Sequence, residues 1–371
     1  MLKKEKIIKN FSVRFRLKII KPEFLLSVFL ILSLLVHVSA ASIQYEWTDI
    51  EKIVAVGDIH GDYNNFLKIL KGTRIIDENL QWIGGNLHLV QTGDIMDRGP
   101  EAKKALDLLI KLEKEAKKAG GFVHALIGNH EEMNFTGTVR FDAYVPVEQF
   151  LSFLPKKYKE KKEKLFKKQK ERTAQDPADL KDYWEEIKKN DKEARSLYTE
   201  NFRRIYGKWL LKRNIVIKIN DIIFVHGGIS EEFSTWNLEH LNNTYRKELE
   251  YPQKPFKILV NRSGPLWYRD LALAKEEEFK PIVDRILSNL NAIHMVMGHT
   301  VQINKIVSRF DGRIWLIDSG ISDLYGGNLK ALIIEKGNFS VWCKNNQEKF
   351  LLVDSYSIPF SYSIDRKSDL R

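Results

Sequence analysis

The sequence contains a single cysteine, Cys343, among its 371 residues. One cysteine cannot form an internal disulfide or a cysteine-rich zinc site, so both are excluded. Residues 344–347 contain no arginine, which also excludes a phosphatase that uses Cys343 as its nucleophile. Cys343 lies in an apolar stretch beside Val341 and Trp342, and we expect it to be a small core residue.

The chain also lacks an extended basic surface, although its formal net charge is +11. Residues 1–40 carry a net charge of +6, and residues 156–172 carry a net charge of +7. The rest of the chain is therefore close to neutral, which argues against the broad positive field of a nucleic-acid-binding protein. We expect no nucleic-acid partner.

The N-terminal hydrophobic run is too short for an ordinary membrane span of about 20 residues. It covers residues 24–36, follows a basic segment at 3–21 and precedes the small residues Val38-Ser39-Ala40. This order is typical of a signal peptide, here residues 1–40, cleaved before Ala41. We predict an exported protein, periplasmic or secreted. The alternative is a signal anchor, in which only residues 24–36 contact the membrane.

Strands and helices alternate in the first half of the chain. Apolar runs at residues 53–56, 87–92 and 122–127 end in polar clusters, and helical periodicity follows at 63–70 and 101–118. This alternation predicts an α/β fold in which ligands bind at the carboxyl ends of the strands.

The second half contains three hairpin signals. Asn220-Asp221, Asp311-Gly312 and Gly337-Asn338 each separate two apolar runs. We therefore expect two sheets rather than one, with more antiparallel pairing in this half. A Lys/Glu-rich helical stretch, broken near Asp176-Pro177, lies between the halves. The predicted organisation is a catalytic domain at 41–345, a helical insertion at about 145–212 and a C-terminal tail at 346–371.

Five polar clusters begin where apolar strands end. They are Gly57-Asp58-Ile59-His60-Gly61, Gly93-Asp94-Ile95-Met96-Asp97-Arg98-Gly99, Gly128-Asn129-His130-Glu131, His226-Gly227-Gly228 and Gly298-His299-Thr300. Their Asp, Asn and His side chains suit Mn, Fe or Zn rather than Ca or a copper–thiolate site. Six such donors can hold two divalent ions about 3.5–4 Å apart. Each cluster alone is a weak signal, but the five together are specific.

These five clusters resemble the calcineurin-like metallophosphoesterases of the phosphoprotein phosphatase superfamily. Residues 264–269, 131–134 and 317–322 look like those of the bacterial-type Shewanella-like phosphatases. The Ser-Ala-Pro-Asn-Tyr loop of the eukaryotic enzymes is absent after Asp318. The resemblance implies a calcineurin-like sandwich of two mixed β-sheets flanked by helices, which covers about residues 50–340.

The resemblance also implies the role of each site residue. Asp58 and His60 would bind one metal ion, Asp94 would bridge two ions, and Asn129 and His226 would complete the second. His299 is a further ligand, and the exact assignment of His226 and His299 to one ion or the other stays open. The general acid would be His130, oriented by Asp97. Substrate phosphate would contact Arg98, Arg269 and Asn129, with Arg262 as the alternative to Arg269.

The implied activity is hydrolysis of phosphomonoesters, with a phosphoprotein or phosphopeptide as substrate. The sequence does not choose between phosphotyrosine and phosphoserine or phosphothreonine. Two other functions remain open: a nucleotide hydrolase of the diadenosine-tetraphosphatase kind, and an inactive binding module at the cell envelope. Residues 156–172 form either a solvated helix or an element that attracts acidic phosphopeptides.

Overall fold

The computed structural model describes residues 43–172, 180–252, 257–344 and 351–352. The apolar run at 24–36 and the sequence break near Asp176-Pro177 lie outside these residues. Among the described helices, none is long and apolar enough to cross a membrane. The sheets and helices belong to the compact unit that begins at Tyr45.

The strands form two six-stranded mixed sheets. In chain order they are β1 (Glu46–Trp47), β2 (Lys52–Val56), β3 (His88–Gln91), β4 (Phe122–Ala125), β5 (Val216–Ile219), β6 (Ile222–Val225), β7 (His294–Met297), β8 (Val307–Arg309), β9 (Ile314–Leu316), β10 (Lys330–Glu335), β11 (Asn338–Cys343) and β12 (Leu351–Leu352). One sheet has the order β12-β11-β10-β2-β3-β4, and the other has the order β1-β5-β6-β7-β9-β8.

The three predicted hairpins are confirmed as the antiparallel pairs β5–β6, β8–β9 and β10–β11. The first-half strands β2, β3 and β4 are parallel, as predicted. The second half is less antiparallel than expected, because β6, β7 and β9 also run parallel to one another. Each sheet therefore brings the carboxyl ends of three parallel strands to one edge.

Helices connect the parallel strands and cover the sheets. Those outside the predicted insertion are α1 (Tyr63–Gly72), α2 (Ala102–Lys118), α3 (Asn129–Thr136), α8 (Glu231–Ser234), α9 (Leu238–Glu250), α10 (Asp270–Leu273) and α11 (Glu276–Asn289). The stretch predicted as a helical insertion contains α4 (Val147–Phe153), α5 (Lys156–Arg172), α6 (Leu180–Asn190) and α7 (Lys192–Leu210). A short 3₁₀ turn, Asp323–Tyr325, follows β9.

Strand side chains are buried on both faces of each sheet, because helices cover one face and the opposite sheet covers the other. In β2, Ile53 and Ala55 belong to the core between the sheets, whereas Val54 and Val56 belong to the core under the helices. This alternation is the period-two pattern of a strand. Cys343 is buried in the core between the sheets, as predicted.

The Lys-rich helix α5 packs against the rest of the insertion through one face. The Tyr158 hydroxyl donates to Asp191 Oδ2 at 2.7 Å, and the Phe166 ring packs 4.9 Å from the Tyr183 ring. On the helix's outer side, four exposed lysines line a shallow groove: Lys157, Lys161, Lys164 and Lys168. This arrangement is compatible with a solvated helix and with a charged surface for acidic substrates.

Candidate active site

The six expected metal ligands lie together, at the edge where the parallel strands of both sheets end. The first sheet supplies side chains from the loops after β2, β3 and β4, and the second supplies them from the loops after β6 and β7. The two edges are joined by hydrogen bonds: His226 Nδ1 lies 2.9 Å from Thr92 O, and the His299 backbone N–H donates to Asp58. All six side chains are buried: Asp58, His60, Asp94, Asn129, His226 and His299.

One group of potential ligand atoms surrounds His226 Nε2. His226 donates its Nδ1 proton to Thr92 O, so its Nε2 atom carries a lone pair. This Nε2 lies 2.9 Å from Asn129 Oδ1, 3.1 Å from His299 Nδ1 and 3.4 Å from Asp94 Oδ1. Each of these four atoms can offer a lone pair to one shared cation. The residues present therefore fit a divalent metal ion.

A second group of ligands adjoins the first through Asp94. His60 Nδ1 donates to Met96 O at 3.1 Å, which leaves Nε2 free to bind metal. That Nε2 lies 3.8 Å from Asp94 Oδ2 and 4.0 Å from Asp58 Oδ2. Asp94 thus presents one oxygen to each group, as a bridging carboxylate would. His130 Nε2 also faces this group, 3.9 Å from Asp94 Oδ2.

Buried carboxyl groups crowd this edge. Burial, with the charges of Asp318 and Asp94, raises the pKa of Asp58 well above its usual value. Burial also raises the pKa of Asp318 to about 6. Burial opposes ionisation of Asp94, but His226 and His130 outweigh it and hold the pKa of Asp94 well below its usual value. A bound cation would relieve this concentration of negative charge.

Two of the metal-facing histidines, His60 and His299, have lowered pKa values. Burial, together with the charge of His130, lowers the pKa of His60 to about 4. Burial and the Arg269 guanidinium lower the pKa of His299 well below its usual value. Only the neutral ring offers a lone pair to a metal ion, so both side chains are in the form that binds metal.

Five site residues have left-handed backbone conformations, which non-glycine residues seldom adopt. The φ angles are 47° for His60, 55° for Asp94, 69° for both Asp97 and Arg98, and 65° for His299. Strained backbone of this kind clusters at functional sites, where the surrounding structure over-determines it. The turns aim these side chains from the strand ends into the cleft.

Two glycines leave the space that the carboxylates occupy. A Cβ atom at Gly128 would lie 2.1 Å from Asp94 Oδ1, and one at Gly298 would lie 2.3 Å from Asp58 Oδ1. Both distances are far below van der Waals contact. Any larger residue at either position would displace a carboxylate from the site.

Glu131 holds the Asp94 loop in place, a role that the sequence did not reveal. Its carboxylate accepts hydrogen bonds from the backbone N–H groups of Asp94, Ile95, Met96 and Gly128 at 2.8–2.9 Å. These four hydrogen bonds fix the loop after β3 and the loop after β4 to one side chain. The position of Glu131 beside the predicted acid His130 was the one available signal.

His130 is paired with Asp97, as predicted. His130 Nδ1 donates to Asp97 Oδ2 at 2.6 Å, which leaves Nε2 directed towards the ligands. Burial by itself would lower the pKa of His130, but the carboxylates of Asp94 and Asp97 outweigh it and raise that pKa above its usual value. The imidazole is thus suited to carry a proton and donate it from Nε2.

The helical insertion supports this pair. Gln149 on α4 donates to Asp97 Oδ1 at 2.6 Å and accepts from the Asp97 backbone N–H at 2.8 Å. Asn134 donates to Asp97 Oδ2 at 2.9 Å, and the Tyr198 hydroxyl on α7 donates to Asn134 Oδ1 at 2.6 Å. The Asp97 carboxylate therefore accepts three side-chain hydrogen bonds, from His130, Asn134 and Gln149.

Two arginines border the site. Arg269 donates from Nη1 to His299 O at 2.8 Å and to Thr300 Oγ1 at 3.1 Å. The Arg98 guanidinium lies 4.3 Å from the centre of the Tyr144 ring. Arg262, the alternative to Arg269, is exposed. This geometry favours Arg98 and Arg269 as the phosphate-binding pair.

Glu132, the neighbour of Glu131, is buried, and its Oε2 atom has no hydrogen-bond partner among the described residues. Burial raises the pKa of Glu132 from 4.5 to about 8. A raised pKa favours the protonated form in the folded state, so this contribution to stability is present below pH 4.5. It is lost as the pH rises towards 8, because the unfolded chain releases the proton first.

Glu132→Gln removes the ionisable group and is expected to stabilise the fold at neutral pH. The gain in unfolding free energy should reach up to about 3 kcal/mol at pH 7 and fall to well under half of that at pH 5. Urea unfolding at pH 5 and pH 7 measures both values. Glu250→Gln, at an exposed position, is the matched control. An equal gain at both pH values would contradict the titration of Glu132 as the cause.

Comparison with known proteins gives one family match. The model for calcineurin-like phosphoesterases matches residues 51–303, which span every strand-end cluster. Shewanella-like protein phosphatase 1 of Plasmodium berghei is 30% identical over 73% of this chain and 67% of its own length. Shewanella-like protein phosphatase 2 of Arabidopsis thaliana is 30% identical over 73% of this chain and 72% of its own length.

A solved structure has the same architecture. The crystal structure of a cold-active protein-tyrosine phosphatase from a psychrophilic Shewanella species superposes with a TM-score of 0.63 at 28% sequence identity. The superposition covers 84% of this chain and 85% of that one.

Proposed function

The chain belongs to the calcineurin-like phosphoesterase family and is a metal-dependent phosphatase, and from this premise we propose that it hydrolyses phosphotyrosine in proteins with two bound divalent ions. The family resemblance and the two-sheet fold predicted from the sequence are both confirmed. The observation that carries the proposal is the His130–Asp97 pair, aimed at a set of buried metal ligands.

The two ions would be held by ligands that share Asp94. Asp58 and His60 would bind one ion with Asp94, and three side chains would bind the other with it: Asn129, His226 and His299. His299 lies with His226, which supports its assignment to the second ion. When bound, such ions activate water and neutralise charge on the phosphoryl group. The donor set suits Mn, Fe or Zn.

The remaining residues bind phosphate and move one proton. Arg98 and Arg269 are placed to grip phosphoryl oxygens, since a planar guanidinium matches that geometry. His130 would donate its Nε2 proton to the leaving oxygen. Asp97 keeps the imidazole in the tautomer and orientation that this transfer needs, because it accepts from Nδ1.

Two aromatic side chains beside the ligands support a phosphotyrosine substrate. The Tyr144 ring lies 5.1 Å from the His130 ring, and the Tyr325 ring lies 5.7 Å from the His60 ring. Both tyrosines are half-buried. An aryl leaving group at His130 would lie close to the Tyr144 ring. The similar Shewanella enzyme is also a protein-tyrosine phosphatase.

A phosphopeptide panel tests this proposal. We expect kcat/KM for a phosphotyrosine peptide to exceed that of the matched phosphoserine and phosphothreonine peptides by about tenfold, since each aromatic contact contributes about 0.5–1.5 kcal/mol. Metal content is determined on the same samples. Equal rates for all three peptides would contradict the substrate class. Faster cleavage of a dinucleoside tetraphosphate than of any peptide would favour the nucleotide hydrolase.

A further inference from the structure

The segment Arg140–Tyr144 holds Arg98 through three contacts. The Arg98 backbone N–H donates to Tyr144 O at 2.8 Å, and Arg98 Nη1 donates to Ala143 O at 3.5 Å. The Arg98 guanidinium also lies over the Tyr144 ring, 4.3 Å from its centre. The Arg98 Nε atom itself is buried without a hydrogen-bond partner among the described residues.

The same ring also contacts the general acid. The centres of the Tyr144 and His130 rings are 5.1 Å apart, and the ring planes are inclined by 59°. Tyr144 therefore lies against the group that would bind phosphate and against the group that would donate the proton. Asp97 fixes only the far side of the imidazole, through Nδ1.

We propose that Tyr144 is a positioning residue that fixes the distance between Arg98 and His130. An arginine side chain has many rotamers, and ordering it at the moment of binding costs conformational entropy. A ring under the guanidinium orders it beforehand through a cation–π contact. The same ring keeps the imidazole from tilting, so phosphate bound by Arg98 has its leaving oxygen within reach of His130 Nε2.

The inference rests on the proposed roles of Arg98 and His130. Variants of Tyr144 test its positioning role separately from those two roles. Tyr144→Leu keeps an apolar side chain of similar bulk but removes the ring face. Tyr144→Phe keeps the ring and removes only the hydroxyl. Arg140→Ala is the matched control, because the Arg140 guanidinium lies 5.7 Å from the centre of the same ring but in an exposed side chain.

The test is steady-state kinetics with p-nitrophenyl phosphate and an alkyl phosphate. Tyr144→Leu should raise KM and the inhibition constant of inorganic phosphate by about 3- to 30-fold. It should also lower kcat more for the alkyl ester, whose leaving group needs the proton. Tyr144→Phe, which keeps the ring, should retain most of the wild-type activity. Metal content and melting temperature show whether each variant is folded.

A double-mutant cycle separates positioning from a general structural effect. If Tyr144 acts through Arg98, Tyr144→Leu should change the inhibition constant of phosphate by less than about threefold in an Arg98→Ala background. Fully additive effects of Tyr144→Leu and Arg98→Ala on the inhibition constant would overturn the inference. Normal kinetics in Tyr144→Leu would also overturn it if Arg98→Ala and His130→Asn are both impaired. Normal kinetics in Arg98→Ala would instead contradict the proposed function.

Discussion

Replacement of Asp94 by asparagine is expected to abolish metal binding and nearly all phosphatase activity. The carboxylate is buried and faces both ligand groups, with Oδ1 3.4 Å from His226 Nε2 and Oδ2 3.8 Å from His60 Nε2. A neutral amide removes the one charge that both ions would share. Metal analysis of the purified variant and its turnover of p-nitrophenyl phosphate measure the two effects.

Asp49→Asn is the matched control for this substitution. Asp49 is exposed, and its φ angle of 61° is close to the 55° of Asp94, so both changes are made in the same backbone conformation. The control should keep its metal and its activity. A chelator should inactivate the wild-type protein in the same way as Asp94→Asn. Full activity of metal-free protein would refute the metal-dependent mechanism.

His130→Asn should lower kcat by about 10²–10⁴, the usual contribution of a general acid, and leave metal content unchanged. His130 is held by the 2.6 Å hydrogen bond to Asp97, and the carboxylates of Asp94 and Asp97 raise its pKa against the effect of burial. The loss should be smaller for p-nitrophenyl phosphate, because p-nitrophenolate leaves without a proton. His240→Asn, at an exposed position, is the control. Equal losses for aryl and alkyl substrates would argue against the acid role.

The ligand set could be predicted because strand ends bring it together. Glycine-bounded clusters mark where β2, β3, β4, β6 and β7 stop, and parallel strands end at a common edge. The sequence therefore predicts that six donors share one site: Asp58, His60, Asp94, Asn129, His226 and His299. The bridging role of Asp94 comes from the family resemblance and stays a prediction.

The supporting residues could not be predicted, because their contacts join segments far apart in the chain. Gln149 is 52 residues from Asp97, and Tyr198 is 64 residues from Asn134. Within their own helices these side chains follow ordinary amphipathic patterns, so nothing local marks them. Glu131 differs from them, since it stands inside a recognised cluster, but only the folded loops show which amides it accepts from.

The support that α4 gives to Asp97, and α7 gives to Asn134, has a consequence for protein engineering. A redesign that shortens residues 145–212 to a minimal loop would discard Gln149 and Tyr198 along with the exposed lysines. The shortened protein would keep every metal ligand, but Asp97 would hold His130 less firmly in the orientation needed for proton transfer. Compact versions of this scaffold therefore need one substitute hydrogen-bonding group at Asp97 and another at Asn134.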